Sequence, residues 1–208
     1  MKSSSLAVVL FILVFGMVTG AAQTKQKQTK SMTEAANNAR DTQPSRDREM
    51  ENATPAAAHS RLGKLAGEYT TSTKFYMQPG AAPQETTGEA RLWMTLDGRF
   101  LSEENTGTFM GQPLKGFRML GYNNASKRYE GIWTYSMSTA IMTLNGTSSD
   151  GGKTVTLEAV FDGEGGNKEK LNVTVRQTDE DHFVVGLSGT FADGKPGPML
   201  ETTYARKR

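Results

Sequence analysis

Apolar and polar residues alternate along the chain from Leu62 onward, in short runs rich in Thr, Val, Tyr, Phe and Leu. In one such run Val155 and Leu157 share one face, whereas Thr154 and Thr156 share the other. A period of two is typical of β-strands that have one dry face and one solvated face. The pattern predicts strands at Leu65–Met77, Thr86–Leu96, Arg99–Phe109, Leu114–Tyr122, Lys127–Tyr135, Thr139–Thr147, Thr154–Phe161, Glu169–Gln177, His182–Thr190 and Met199–Arg206.

Short connections with turn-forming residues separate these runs, for example Pro79-Gly80, Asp97-Gly98 and Asp193-Gly194. Such residues supply the positive or fixed φ that a tight reversal requires, so consecutive strands should pair as antiparallel neighbours. No helical period longer than a turn interrupts the series, which argues against a parallel βαβ architecture.

A meander of this length either closes into a barrel or splits into a sandwich, and closure removes the exposed strand edges. Glycines inside strands usually mark bends, which strongly coiled strands need. They occur at Gly88, Gly107, Gly116, Gly131, Gly146 and Gly186. The sequence therefore predicts an all-β fold, a single antiparallel meander β-barrel of about 8–10 strands over residues 61–208.

The N-terminus has the outline of a secretory signal peptide. Lys2 precedes an uncharged apolar stretch, Leu6–Val18, and the small residues Gly20 and Ala22 follow it. This predicts a signal peptide over residues 1–22, with cleavage after Ala22 or after Gly20. The alternative is a membrane anchor, but the stretch is shorter than the roughly 20 residues that span a bilayer. We therefore expect an exported protein, periplasmic or secreted, with no stable membrane span after cleavage.

Residues 23–60 are polar, and Met32 and Met50 are their only large apolar side chains. Such a segment cannot bury enough surface to offset the entropy of ordering, which predicts a disordered linker. A segment that orders on contact with a partner is the alternative.

Composition removes several classes of function. The chain has no cysteine, so disulfides, thiolate metal sites and a cysteine nucleophile are excluded. From Arg61 onward there are 17 basic and 17 acidic side chains, whereas a nucleic-acid-binding protein needs a basic surplus. We predict no nucleic-acid partner, no metal and no cofactor. His59 and His182 are the only histidines, and His182 beside an acidic turn is more simply a solvated residue than a haem ligand.

The barrel region carries a recurring set of short motifs: Leu96-Asp97-Gly98-Arg99-Phe100-Leu101, Met110-Gly111-Gln112-Pro113, Leu120-Gly121-Tyr122-Asn123, Lys127-Arg128-Tyr129, Trp133, Ser136-Met137-Ser138-Thr139, Asp150-Gly151-Gly152-Lys153, Asp181-His182-Phe183 and Asp193-Gly194-Lys195. This set resembles the uncharacterised family DUF1579. The resemblance implies a lipocalin- or calycin-like barrel and no agreed activity. Asp97 and Tyr135 depart from the pattern, because family members often have Gly and Asp there.

Gly67 and Tyr69 near the start of the first strand, with Arg206 near the end of the last, are similar to the lipocalin arrangement in which a basic side chain caps an aromatic ring. A guanidinium on an aromatic face excludes water and can donate to nearby carbonyls. We interpret these three residues as structural closure of the barrel.

Methionine and aromatic side chains concentrate in the middle of the domain, and flexible, polarizable linings suit an adaptable apolar cavity. Arg118 and Glu201 lie in otherwise apolar strands, and if both point inward they could anchor a ligand carboxylate or act as an acid and base pair. The candidate ligand-binding residues are Met94, Phe117, Arg118, Met119, Tyr129, Trp133, Met142 and Glu201. The alternative is that these residues fill a solid core or face solvent.

The function that these residues favour is binding of a small apolar or amphipathic ligand inside the barrel. A solid barrel that recognises another protein is the second hypothesis. An enzyme using Arg118 with Glu103 or Glu201 is the third, and we assign no catalytic residue. The sequence does not determine the oligomeric state.

Overall fold

A computed structural model describes residues 30–32 and 45–208. The predicted signal peptide, 1–22, lies outside the described residues, as do residues 23–29 and 33–44 of the predicted linker. The chain divides into two units, Met1–Glu49 and Met50–Arg208. In the first unit the described residues are helical. No helix among the described residues is long and apolar enough to cross a membrane.

The second unit is a closed barrel of ten antiparallel strands in meander order. The strands are β1 (Gly67–Phe75), β2 (Gln84–Thr95), β3 (Phe100–Phe109), β4 (Gln112–Asn123), β5 (Arg128–Tyr135), β6 (Met142–Thr147), β7 (Thr154–Asp162), β8 (Lys168–Gln177), β9 (His182–Thr190) and β10 (Pro196–Arg206). Closure is made by β1 and β10, which pair from Tyr69 opposite Arg206 to Phe75 opposite Leu200. The predicted all-β meander barrel is confirmed, and a sandwich with free edges is excluded.

Two of the strand glycines show why the sequence curls so tightly. A Cβ atom on Gly131 would collide with the backbone carbonyl of Met119 on the adjacent strand, and one on Gly146 would collide with that of Thr156. Only glycine lets the neighbouring backbones approach so closely where a strand bends.

Large inward side chains fill one half of the barrel. Tyr69, Phe183 and Tyr204 form an aromatic group in which the rings of Phe183 and Tyr204 stack with centroids 4.1 Å apart. Leucines and valines from the remaining strands pack around this group. Each such side chain contributes about 1.5–3 kcal/mol when it is fully buried. We call this half the packed end.

A short helix, Ala57–Lys64, covers the packed end. Leu62 is buried, and His59 is also buried with its Nδ1 accepting the Ala56 N–H at 2.9 Å. The amide of Asn124 donates to the carbonyls of Asn52 and Thr54, at 3.1 and 2.7 Å. The helix begins at Ala57, four residues before the predicted barrel boundary at Arg61. Composition did not indicate this extension because polar side chains, rather than apolar ones, attach the segment.

Arg206 joins the helix to the barrel. Its guanidinium lies 4.9 Å from the centroid of the Tyr69 ring and donates to the carbonyls of Lys64 and Ala66, both at 2.7 Å. A Cβ atom on Gly67 would collide with this guanidinium. Gly67, Tyr69 and Arg206 thus meet where the first strand, the last strand and the helix converge.

Candidate ligand-binding cavity

The end of the barrel opposite the helix contains a cavity of about 700 Å³ that opens at the mouth. Small-molecule sites usually enclose about 300–1,000 Å³. Apolar side chains form much of its wall, among them Phe75, Phe109, Phe161, Leu171, Leu187, Met199 and Leu200. This half of the barrel is therefore not solid, in contrast to the packed end.

Small inward residues on β1 and β2 leave space in this half of the barrel. Along β1, inward Tyr69 at the packed end is followed by Thr71 and Thr73 towards the mouth. Across the ladder, Gly88 lies opposite Thr71 and Thr86 lies opposite Thr73. The alternation of the strands is unchanged, but threonine and glycine do not project far enough to meet at the barrel axis.

A buried polar cluster forms the floor of the cavity, and the Glu103 carboxylate is its centre. Tyr204 Oη donates to Glu103 Oε1 at 2.7 Å, and Asn105 Nδ2 donates to the same oxygen at 3.0 Å. The Arg118 guanidinium donates to Glu103 Oε2 and lies 5.6 Å from the centroid of the Trp133 ring. Asn105, Trp133 and Tyr204 line the cavity, whereas Glu103 and Arg118 lie beneath the lining. The cluster is compact, hydrogen-bonded and shielded from solvent.

Burial and the contacts within the cluster shift the pKa values of Tyr204 and Arg118. Burial raises the pKa of Tyr204 well above its usual range, and the neighbouring Glu103 carboxylate adds to the increase. Burial by itself works to lower the pKa of Arg118, but its contacts with Glu103 and Tyr204 leave that pKa raised. Arg118 is therefore a cation paired with Glu103, and Tyr204 is a neutral donor. The floor presents no net charge to the cavity.

The lining residues carry charge only at the mouth. Among the described residues that line the cavity, the charged side chains are Asp162, Glu164 and Glu169, and all are acidic. Lys168, which is not part of the lining, pairs with Asp162 at 2.6 Å. The interior below the mouth is thus apolar, with hydroxyl and amide groups as its polar contacts.

The predicted ligand-binding residues divide into three groups. Trp133 and Met142 line the cavity, and Arg118 lies just beneath its floor. Met94 and Tyr129 point inward but belong to the packed end, where they contact the apolar core. The remaining predicted residues do not face the interior at all.

Phe117, Met119 and Glu201 are corrected by the structure. Arg118 and Leu120 are buried inward positions of β4, so Phe117 and Met119, which alternate with them, face outward. Glu201 lies between inward Leu200 and Thr202 on β10 and is opposite Lys74 on the outer surface. Of the two carboxylates that the sequence analysis named with Arg118, Glu201 is therefore ruled out and Glu103 is the partner. Since successive side chains of a strand point to opposite faces, a shift of one residue reverses which side chains face the barrel interior.

Sequence reasoning missed Tyr204, Asn105 and the threonines of the wall. Thr71, Thr73 and Thr202 carry hydroxyls, and those of Thr73 and Thr202 lie 3.0 Å apart. A run of inward threonines beside strand glycines is the signal that could have indicated a hollow half. His182, in contrast, is exposed beside Asp179, and no group of three or more potential metal ligands occurs among the described residues.

Solved structures with the same fold are distant in sequence. Rv2717c from M. tuberculosis is 18% identical, with a TM-score of 0.56 over 74% of this chain and 100% of that one. The S-type phycobiliprotein lyase CPES from Guillardia theta is 11% identical, with a TM-score of 0.54 over 74% of this chain and 94% of that one. These likenesses concern the fold alone. No curated protein matches the chain.

The family comparison extends over most of the chain. The model described as "Protein of unknown function (DUF1579)" matches residues 54–206, from the segment held by Asn124 to the end of β10. A match of this extent, together with the closed meander barrel, establishes membership. The chain belongs to the DUF1579 family.

Proposed function

We propose that this barrel binds one small, largely apolar molecule in the cavity at its mouth half. The observation that carries the proposal is a preformed space of about 700 Å³ with apolar walls and a hydrogen-bonded floor. A solid barrel has no such space, so the cavity favours ligand binding over the interaction-module alternative. The existence of a phycobiliprotein lyase with the same fold is consistent with this proposal.

The floor selects the chemistry of the buried end of the ligand. Arg118 is neutralised by Glu103, so a carboxylate placed at the floor would meet no free cation and would lie close to an existing carboxylate. A neutral group is favoured instead, because Asn105 and the Thr73 and Thr202 hydroxyls can exchange hydrogen bonds with it. We infer a neutral amphipathic molecule that enters with its apolar or hydroxyl-bearing end first.

The enzyme alternative receives less support from this geometry. Glu103 accepts hydrogen bonds from Arg118, Asn105 and Tyr204 and does not line the cavity. Glu201 faces outward. Neither carboxylate is placed to abstract a proton from a molecule in the cavity, since a general base must be within hydrogen-bond reach of that proton.

The two tryptophans of the chain provide a matched test. Trp133 lines the cavity, whereas Trp93 alternates with buried Leu92 and faces outward beneath Arg91. The neutral probe phenylnaphthylamine should quench tryptophan emission in Trp93→Phe and should lose most of that quenching in Trp133→Phe. Equal quenching in the two variants, or no binding of the probe by the unaltered protein, would contradict the proposal. Native mass spectrometry of protein purified without added ligand should reveal a bound neutral molecule.

We further propose that the protein is exported, on the basis of the apolar stretch Leu6–Val18 and the small residues that follow it. N-terminal sequencing of the mature protein should begin at Gln23 or Ala21. A mature protein that starts at Met1 and remains in the cytoplasmic fraction would refute export.

A further inference from the structure

The mouth of the barrel is divided into an uncharged side and a charged side. Residues 76–83, 110–111 and 136–141 connect β1 to β2, β3 to β4 and β5 to β6, and together with Tyr135 at the end of β5 they contain no charged residue. Because the strands follow a meander, these three connections are successive around one side of the mouth. We call these residues the uncharged rim. The other two mouth connections, 163–167 and 191–195, contain Glu164, Asp193 and Lys195.

The opposite end of the barrel shows no such division. Its connections are residues 96–99, 124–127, 148–153 and 178–181, and each of them contains at least one charged side chain. The absence of charge is therefore a property of the rim and is not shared by the connections of this barrel in general.

Large apolar side chains are exposed on the same rim. Met77, Met110, Met137 and Ile141 are 46%, 64%, 50% and 59% exposed, and Tyr135 is 40% exposed. Within the described barrel, Leu96 at the packed end is the other exposed large apolar side chain. Contiguous apolar surface of this kind marks a protein or membrane contact in a soluble domain.

The rim is continuous with the cavity, since Tyr135, Met137 and Ala140 belong both to the rim and to the cavity lining. A ligand that leaves an apolar phase at this edge would not have to cross open water before it enters. This consideration rests on the proposed function, whereas the exposure and charge pattern stand independently of it.

We propose that the uncharged rim docks on the surface of a lipid bilayer with zwitterionic head groups. Unbranched methionines on separate loop tips can adapt to a fluid apolar phase, and tyrosine is favoured at the boundary between apolar and aqueous layers. Lys115 lies directly behind the rim, where its backbone pairs with Ser136. A lysine in this position can reach lipid phosphate while its stem remains among apolar groups.

The charge pattern selects a zwitterionic surface over an anionic one. The folded part carries equal numbers of acidic and basic residues. The charged side of the mouth carries both signs, with the ion pairs Lys168–Asp162 and Lys195–Asp193 beside Glu164 and Glu169, so it has no basic surplus. Anionic lipid should therefore not strengthen docking, and high salt should not abolish it, because screening weakens only the electrostatic part of an attraction.

Flotation with phosphatidylcholine vesicles tests this surface. The full chain should float with the vesicles, and the variant Met77→Ser/Met110→Asn/Ile141→Ser, which changes no residue of the cavity lining, should bind at least roughly tenfold more weakly because three apolar contacts are removed. Leu96→Asn is the matched control: Leu96 is 67% exposed and has a φ of 48°, while Met110 is 64% exposed and has a φ of 50°. This control should retain vesicle binding.

Three results would overturn the proposal: no vesicle binding by the full chain, equal loss in the Leu96→Asn control, or a dimer in sedimentation equilibrium that the rim variant abolishes while vesicles have no effect. The last result would assign the rim to contact between copies. Phenylnaphthylamine binding separates the two proposals, because the rim variant should keep its cavity. Vesicle binding without probe binding would leave the rim proposal standing and reject the cavity ligand.

Discussion

The Arg118 guanidinium and the Glu103 carboxylate face each other across the β3–β4 ladder, and both are buried beneath the floor of the cavity. Because both groups lie below the cavity and are shielded from solvent, a barrel that is hollow in one half can hold a charged pair near its centre. The pair joins the two halves of the interior, because Trp133 and Tyr204 contact it from the cavity side.

Removing one partner of this pair should be costly. Glu103→Gln leaves Arg118 as a buried cation without a counter-charge, and such changes typically cost about 3–5 kcal/mol. The double variant Glu103→Gln/Arg118→Met removes the unpaired charge and should recover much of that loss. Urea unfolding of both variants measures the difference. A Glu103→Gln protein as stable as the unaltered one would mean that the pair does not support the fold.

Tyr204 should make the protein sensitive to alkali. Its pKa in the folded state is raised from 10.0 by burial, whereas an unfolded tyrosine ionises near that value. As the pH rises past about 10, the unfolded state loses its proton first, so the free energy of unfolding should fall with increasing pH. Tyr204→Phe removes this contribution and should show a shallower decline. Identical slopes for the two proteins, measured by urea unfolding across this pH range, would exclude the effect.

Arg206 should hold the helix against the barrel. Arg206→Met loses the stacking on Tyr69 and the two hydrogen bonds to Lys64 and Ala66, which together should cost about 1–3 kcal/mol. Amide hydrogen exchange should accelerate in Ala57–Lys64 before it does in the strands. Arg206→Lys keeps the charge but lacks the planar fork, so its exchange should be intermediate. Uniform acceleration across the barrel would argue against a local role.

The topology could be predicted from the sequence because both of its determinants are local. The alternation in β7 and β8 identifies strands with a dry inner face, and glycine-rich turns such as Asp150-Gly151-Gly152 force consecutive strands to reverse. Closure follows from the number of strands and from their bends at Gly131 and Gly146.

The residues of the site were harder to predict, because the register of each strand decides which of its side chains point into the barrel. In β4, Phe117 and Met119 are apolar although they face outward, so hydrophobicity alone indicated the wrong side. The predicted strands Arg99–Phe109 and Leu114–Tyr122 left residues 110–113 as the turn between them, but the turn is Met110-Gly111, where Met110 adopts a φ of 50°. Methionine is an unusual residue in that conformation. The correct turn places Glu103 opposite Arg118 and would have selected Glu103 over Glu201 as its partner.

The hollow half was also hidden from composition. A threonine in a strand is normally interpreted as a solvated position, yet Thr71 is buried and Thr73 faces the cavity. Whether an inward threonine packs against a neighbour or borders a void depends on what projects from the opposite wall, and that information is contained in residues distant along the chain.

Filling the cavity tests the central claim most directly. Thr73 faces the cavity, whereas Thr70 is exposed on the outer face of the same strand, so Thr73→Phe and Thr70→Phe add the same group on opposite sides of β1. The dissociation constant of phenylnaphthylamine should rise about tenfold or more in Thr73→Phe, the equivalent of about 1.4 kcal/mol, and should be unchanged in Thr70→Phe. Equal affinity in the two variants would contradict ligand binding inside the barrel.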